Sequence, residues 1–297
     1  MKQLLLDFNK KKLDMLINKK PFTQYRDDDR EFQALERRVR LCEQRGIEII
    51  KGITEIKITN VAERSQKIND VQYTCHHQWL TKQDDSMYLE ERFEERSARI
   101  FQDELVEDML IEKHEPAVDH HVSNVEQLMR EPFIYDRLAA VQYAELWWNS
   151  TNPAYKNFEV NCTNFISQCL HAGGAKMRGY PNRSSGWWMQ NNNWSYSWSV
   201  ANSMRIFLAN SKAGLRAKIV DGPEQLMPGD VICYDFQGDG RYDHTTFVVA
   251  KDKKNMPLVN AQTYNSRMRY WSYEDSTAYT PNIKYTFFRI IDDTSSK

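Results

Sequence analysis

Glu159-Val-Asn-Cys-Thr-Asn-Phe-Ile-Ser-Gln-Cys-Leu170 is the stretch on which the reading of this chain turns. A polar approach, Asn152 to Asn157, runs into Cys162, and Phe165, Ile166, Cys169 and Leu170 then recur at the spacing of one helix face. Thr163 and Asn164 are of the kind that bond free amides in a first helical turn. The pattern predicts a helix starting at Cys162, with the sulfur at the positive end, where a thiolate is favoured over a thiol. A nucleophilic cysteine needs that place. A small buried cysteine with no chemistry leaves the same signature, so both readings stand at this point.

Working outward, composition bounds the classes. The 297 residues suffice for one large or two ordinary domains, and a 41% hydrophobic share can bury a sizeable core. With 40 basic and 41 acidic side chains the net charge is −1, which offers a polyanion no field and sets nucleic acid aside as a partner. Charge concentrates in the first 135 positions and aromatic and amide residues in the remainder, which predicts two domains of different character. The N-terminus has only Leu4-Leu5-Leu6 before charges return, whereas a secretory signal needs an apolar core of roughly 7 to 15 residues. No apolar run approaches membrane-spanning length. The expectation is a cytoplasmic protein without a membrane partner. The cysteines (Cys42, Cys75, Cys162, Cys169 and Cys233) are odd in number and widely spaced, which fits a reducing compartment better than a disulfide framework.

In chain order, Met1 to Lys19 reads as an amphipathic helix ended by Pro21, and Asp27 to Arg45 as a second helix stopped by Gly46. Strands are expected at Ile47 to Thr59, Val71 to Thr81 and Tyr88 to Arg96. Residues 1–115 thus form a small helix-plus-sheet module with a solvated charged surface, open to a protein partner. Residues 116–132, with Pro116, Ser123 and Pro132, read as a linker, and 133–297 as the second domain. There, helices are expected at Tyr135 to Asn149, from Cys162 to Gly173-Gly174, and at Val200 to Leu208. Strands follow at Val231 to Tyr234, His244 to Ala250, Leu258 to Gln262 and Lys284 to Ile290.

Two clusters invite a metal reading. Cys75-His76-His77 and His120-His121 are adjacent residues, which on a strand point to opposite faces, and no second ligand pair stands at finger spacing. Asp235 to Asp243 has acids at the first, fifth and ninth places of a calcium-type loop, but the twelfth is Thr246 in place of the bidentate Glu. It reads as a hairpin turn delivering His244. No metal and no cofactor are expected.

A nucleophilic Cys162 needs a base. His76, His77, His114, His120 and His121 belong to the front module or linker, and His171 closes the Cys162 helix away from its start. His244 remains, at the mouth of a strand beside a Gly-rich turn, where a base can reach a cleft; a strand-end histidine without a role fits the position equally. On the next strand Asn260 and Gln262 share a face, and either amide oxygen could fix the imidazole tautomer, or simply bond across a sheet edge. Trp187, Trp188, Trp194 and Trp198 lie in an amide-rich segment suited to a substrate groove or to packing on the sheet. The backbone N–H of Cys162 is an oxyanion donor by position, with Asn157 or Tyr155 as a second.

Tyr135-Asp-Arg-Leu-Ala-Ala-Val-Gln-Tyr-Ala144, Asn152-Pro153, Asn161-Cys-Thr-Asn-Phe-Ile-Ser-Gln-Cys-Leu170 and Gly173-Gly174 resemble the bacterial putative amidase domain, a family similar to papain-like peptidases and to CHAP- and NlpC-type cell-wall amidases. Leu226-Met-Pro-Gly-Asp-Val-Ile-Cys-Tyr-Asp235 with Asp243-His244, then Asn260-Ala-Gln-Thr263, continue the resemblance across the rear half. It implies an α+β fold, a papain-like domain in which a Cys-bearing helix packs on an antiparallel sheet. It also implies a cysteine amidase or peptidase that cleaves a peptide or cell-wall peptide through a thioester, with Cys162 as nucleophile, His244 as base and Gln262 as orienter. The wall would then be reached only on lysis or in a spore. Two positions depart from the family: Gln262 stands where histidine is commoner, and Asn161 where aspartate is. A catalytically weak or inactive domain acting as a binding or scaffold protein is the alternative, and acyl transfer to an amine a third.

Overall fold

In a computed structural model the chain is described over residues 1–18, 29–65, 67–113 and 132–294. Two compact units divide it: Met1–Lys113 with Tyr264–Met268 and Ser272–Tyr279, and the described residues of His114–Thr263 with Arg269–Trp271 and Thr280–Lys297. The linker read at 116–132 lies, apart from Pro132, outside the described residues.

The first unit carries helices α1 (Lys2–Asn18) and α2 (Arg30–Arg45) and strands β1 (Ile47–Ser65), β2 (Ile68–Gln83), β3 (Ser86–Phe101) and β4 (Glu104–Leu110). The strands form an antiparallel meander in sequence order. Side chains alternate along β2, so Val71, Tyr73, Cys75, His77, Trp79, Thr81 and Gln83 are buried while their neighbours are less so. Leu5 of α1 completes a core with Ile56, Val71, Tyr73, Cys75, Ala98 and Ile100. Gly52 lets α1 come close: a Cβ there would collide with the Leu13 side chain. Helix α2 starts where the Asp29 carboxylate accepts the Glu31 and Phe32 amides and ends at Gly46, whose left-handed backbone favours glycine.

The second unit carries α3 (Arg137–Trp147), α4 (Cys162–Ala172), a short pair β5 (Met189–Gln190) and β6 (Asn193–Trp194), α5 (Tyr196–Ser199), α6 (Ala201–Asn210) and the strands β7 (Arg216–Val220), β8 (Val231–Asp235), β9 (His244–Lys251) and β10 (Pro257–Ala261). Ser266 and Arg267 of β11 (Ser266–Tyr270) belong to the first unit and pair there with β3; β12 (Lys284–Ile291) returns to the second unit. The second unit's sheet is antiparallel in the order β10-β9-β8-β12-β7. Mixed α+β architecture is thus the fold class.

β4 and β7 escape the sequence pattern because each lies at the rim of its ladder, where charge replaces apolar alternation: Glu104, Glu107 and Asp108 in one, Arg216 and Lys218 in the other. Helix α4 differs more. One-face spacing predicts an amphipathic surface helix, yet every residue from Cys162 to Leu170 is buried. Its polar face survives burial because each member finds a partner. The Thr163 hydroxyl meets Thr245 Oγ1 (3.2 Å), Asn164 donates to Lys156 O (2.9 Å), Ser167 donates to Trp198 O (2.8 Å), and Gln168 accepts from Tyr143 (2.7 Å).

Candidate functional site

Cys162 is the first residue of α4 and is 1% exposed. The expectation that Thr163 and Asn164 would cap the first turn is corrected, because both side chains are engaged elsewhere. Asn161 at the cap position makes no side-chain cap either. A residue distant in sequence does this work: Thr263 Oγ1 accepts the backbone N–H groups of Asn161 (2.9 Å) and Cys162 (3.1 Å). Thr263 holds φ at 83°, which is costly for a β-branched residue. The N–H expected to hold an oxyanion is therefore occupied by a hydroxyl.

Gln262 stands beside it, buried, with both ends of its amide engaged. Its oxygen accepts from Asn161 Nδ2, and its nitrogen donates to Trp147 O (2.6 Å) and Ser150 O (2.9 Å). None of these partners is His244, so Gln262 holds the approach to Cys162 rather than an imidazole. Asn161 and Gln262, the two positions at which the sequence differs from the resemblance, are thus bonded to each other as a neutral amide pair. Asn161 Oδ1 also accepts from Phe158 N (3.1 Å) and Asn164 Nδ2 (2.8 Å), which fixes the turn into α4. Asn260, the other amide considered, donates to Ala144 O (3.3 Å) and Glu145 Oε1 (2.8 Å) of α3.

His244 opens β9, as the hairpin reading requires. The Asp235 carboxylate accepts Gly238 (2.7 Å), Asp239 (3.2 Å) and Gly240 (2.8 Å) amides, so it shapes the turn from within. Among the described residues no group of three His, Cys, Asp or Glu side chains is placed to hold a metal. In the β8–β9 register His244 lies across from Tyr234 and Thr245 across from Cys233. Neighbouring side chains leave a strand on opposite faces. Thr245 is the one whose hydroxyl meets α4, while the His244 ring lies 5.7 Å from that of Tyr234 and 6.2 Å from that of Phe236. Burial, and secondarily the charge of Arg269, push the His244 pKa down to about 3, so the imidazole is neutral and a weak base in this arrangement.

The tryptophans divide. Trp187, Trp188 and Trp198 are buried and among the largest fully buried side chains, so they line no groove. Their indole N–H groups explain it: Trp187 donates to Ser167 Oγ (2.9 Å) and Trp198 to Asn164 Oδ1 (2.7 Å), bracing α4, while Trp188 donates to Ser185 O (3.1 Å). Trp194 is half-buried, edge-on to Phe158 at 4.8 Å, with Lys156 and Arg183 against its ring. Asn157 is exposed, and Tyr155 stacks on Trp198 at 5.9 Å. Sequence reasoning gave Thr263 no role; the signal was its place directly after Gln262 in Asn260-Ala-Gln-Thr263.

Residues 134–288 match the family model described as the putative amidase domain. The chain belongs to this family. An uncharacterized protein of Bacillus subtilis strain 168, YhbB, is 53% identical over 307 residues, covering 100% of this chain and 98% of its own length. A second uncharacterized protein of that strain, YjcM, is 28% identical over 143 residues, covering 45% of this chain and 32% of its own. No solved structure gives a significant match. An amidase-type hydrolase domain over residues 134–288 is the coarse functional assignment that follows.

Proposed function

We propose that the second unit is a slow, cysteine-dependent amide hydrolase acting on a peptide, of the cell-wall kind by resemblance, with Cys162 as nucleophile. The observation carrying this is the place of Cys162: first residue of α4, inside the matching domain, with its sulfur at the helix end that favours a thiolate. Loss of the thiol proton to the base His244 would let sulfur attack the amide carbonyl. The leaving amine takes up a proton, and water then releases the acid from the thioester and returns the thiol. In this arrangement the site is closed. The thiol is buried and the Cys162 N–H is held by Thr263. Turnover would require the approach at 158–163 to rearrange, which is why low activity is expected.

A second reading, a binding or scaffold domain that has kept the fold, is favoured by one observation, the neutral Asn161–Gln262 pair beside the cysteine. Iodoacetamide labelling of each cysteine against pH, read by mass spectrometry in the wild type and in His244→Ala, separates the two. The hydrolase reading expects Cys162 to label fastest, with an apparent pKa below the free value of about 8.5, and to lose that lead in His244→Ala. Labelling of Cys162 no faster than Cys169 or Cys233, whose thiols burial pushes up, would sink it and leave the binding reading.

A further inference from the structure

We infer that the first unit contains a binding site for a small zwitterion of the amino-acid class, in the cavity between α1, α2 and the sheet. The cavity has a volume of about 110 Å³ and is partly open to solvent. An engineered cavity of about 150 Å³ admits benzene, a molecule of six heavy atoms, as alanine also is. Its wall is apolar along Leu13, Leu16, Ala34, Leu35 and Leu110. Three wall residues at least nine-tenths buried carry a polar atom that no group among the described residues bonds: Asn9 Oδ1, Arg38 Nε and Trp79 Nε1. The Asn9 side chain uses only its nitrogen, on Leu5 O (2.9 Å), which leaves the oxygen as an acceptor. The Arg38 guanidinium lies 4.0 Å over the Trp79 ring, so the two donors are neighbours. Burying such groups without partners is costly, and a ligand supplying both an acceptor and a donor removes the cost.

Charge selects the class. The cations Lys12, Arg38, Arg92 and Arg96 already face carboxylates. Glu31 lies 3.2 Å from Lys12 and 2.8 Å from Arg96, Glu94 2.8 Å from Arg96, Glu90 3.0 Å from both Arg38 and Arg92, and Asp275 also pairs with Arg92. A simple anion or cation would enter with no free counter-charge to meet it. A zwitterion adds no net charge; its carboxylate accepts from Arg38 and Trp79 while its ammonium donates to Asn9.

Calorimetric titration of the full chain with alanine tests this, with acetate and methylammonium as half-ligand probes. One alanine is expected to bind per chain, each half-ligand at least about tenfold more weakly for want of one anchor. Asn9→Leu, which removes the acceptor and narrows the cavity, is expected to abolish alanine binding while circular dichroism stays that of the wild type. Should that variant fail to fold, Ala34→Leu fills the cavity from the other helix and is read the same way. No heat with alanine, binding of acetate as tight as that of alanine, or undiminished binding in a folded filling variant would overturn the proposal.

Discussion

Around Arg96 in the first unit and around α4 in the second, polar groups are buried by opposite means. In the first, the buried groups are ions: Arg96 is 1% exposed and reaches Asp108 (2.7 Å), Glu94 (2.8 Å) and Glu31 (2.8 Å). Burial alone would raise the Glu31 pKa, but Lys12 and Arg96 together hold it below the ordinary carboxylate value. Around α4 in the second unit the buried groups are amides, hydroxyls and indoles: Asn161, Asn164, Ser167, Trp187 and Trp198 bond each other and nearby carbonyls, and Gln168 accepts from the Tyr143 hydroxyl. An ionic cluster is held by charge and fails badly when one member goes, since the remaining ions keep the desolvation cost. A neutral network is held by geometry and fails one bond at a time. The difference matters around Cys162, where the Asn161 and Gln262 side chains are bonded to each other and carry no charge.

That contrast can be broken first at its strongest point. Arg96→Met should cost about 3–5 kcal/mol, because it strands buried carboxylates. Urea denaturation measures it, and a loss under about 1 kcal/mol would mean that the cluster is better solvated than its burial implies. Next in size is an acid effect in the second unit. The His244 pKa is lowered from 6.5 to about 3, so the folded state favours the uncharged ring. This contribution is fully present above pH 6.5 and is lost as pH falls from there toward 3, because the unfolded chain binds the proton first. His244→Gln should therefore flatten the decline of stability between about pH 6 and 4, and an unchanged slope would show that the ring is solvated.

Smaller again, Asn164→Ala removes the acceptor of the Trp198 indole and the donors to Lys156 O and Asn161. A loss of about 1–3 kcal/mol is expected in the same denaturation experiment, clearly below that of Arg96→Met. The finest test charges the neutral pair. Asn161→Asp alone sets a carboxylate against the Gln262 oxygen and should destabilise, while Asn161→Asp with Gln262→His pairs an acid with an imidazole. A double-mutant cycle should show a favourable coupling of roughly 1 kcal/mol, and additive effects would mean that the two positions act independently.

Several elements are legible in the amino-acid sequence alone. The 3.6-residue period marks α3 and α4, short apolar runs mark β8 to β10, and Gly46 marks the end of α2, because each signal is local. Cys162 at a helix start and His244 at a strand start are legible for the same reason. The faces are not. Trp187, Trp188 and Trp198 look like a groove wall because polar residues separate them, yet Ser195 and Ser197 between them are themselves buried and bonded to each other (3.0 Å). Sequence polarity reports whether a side chain can bond, not whether its partner will be water or protein.

What the sequence determined by itself is most of the longer elements, the family, and the pairing of a cysteine with a helix end, since these depend on periodicity and on contiguous motifs. What only the tertiary structure decided is how residues about a hundred positions apart meet. Thr263 rather than Thr163 caps α4, Gln262 bonds Asn161 rather than His244, and strand phase sets the Thr245 hydroxyl against Thr163 of the cysteine helix. The reason is the two-residue period of a strand: a motif places a residue on a strand, but the face it presents depends on register with neighbours that the motif does not contain.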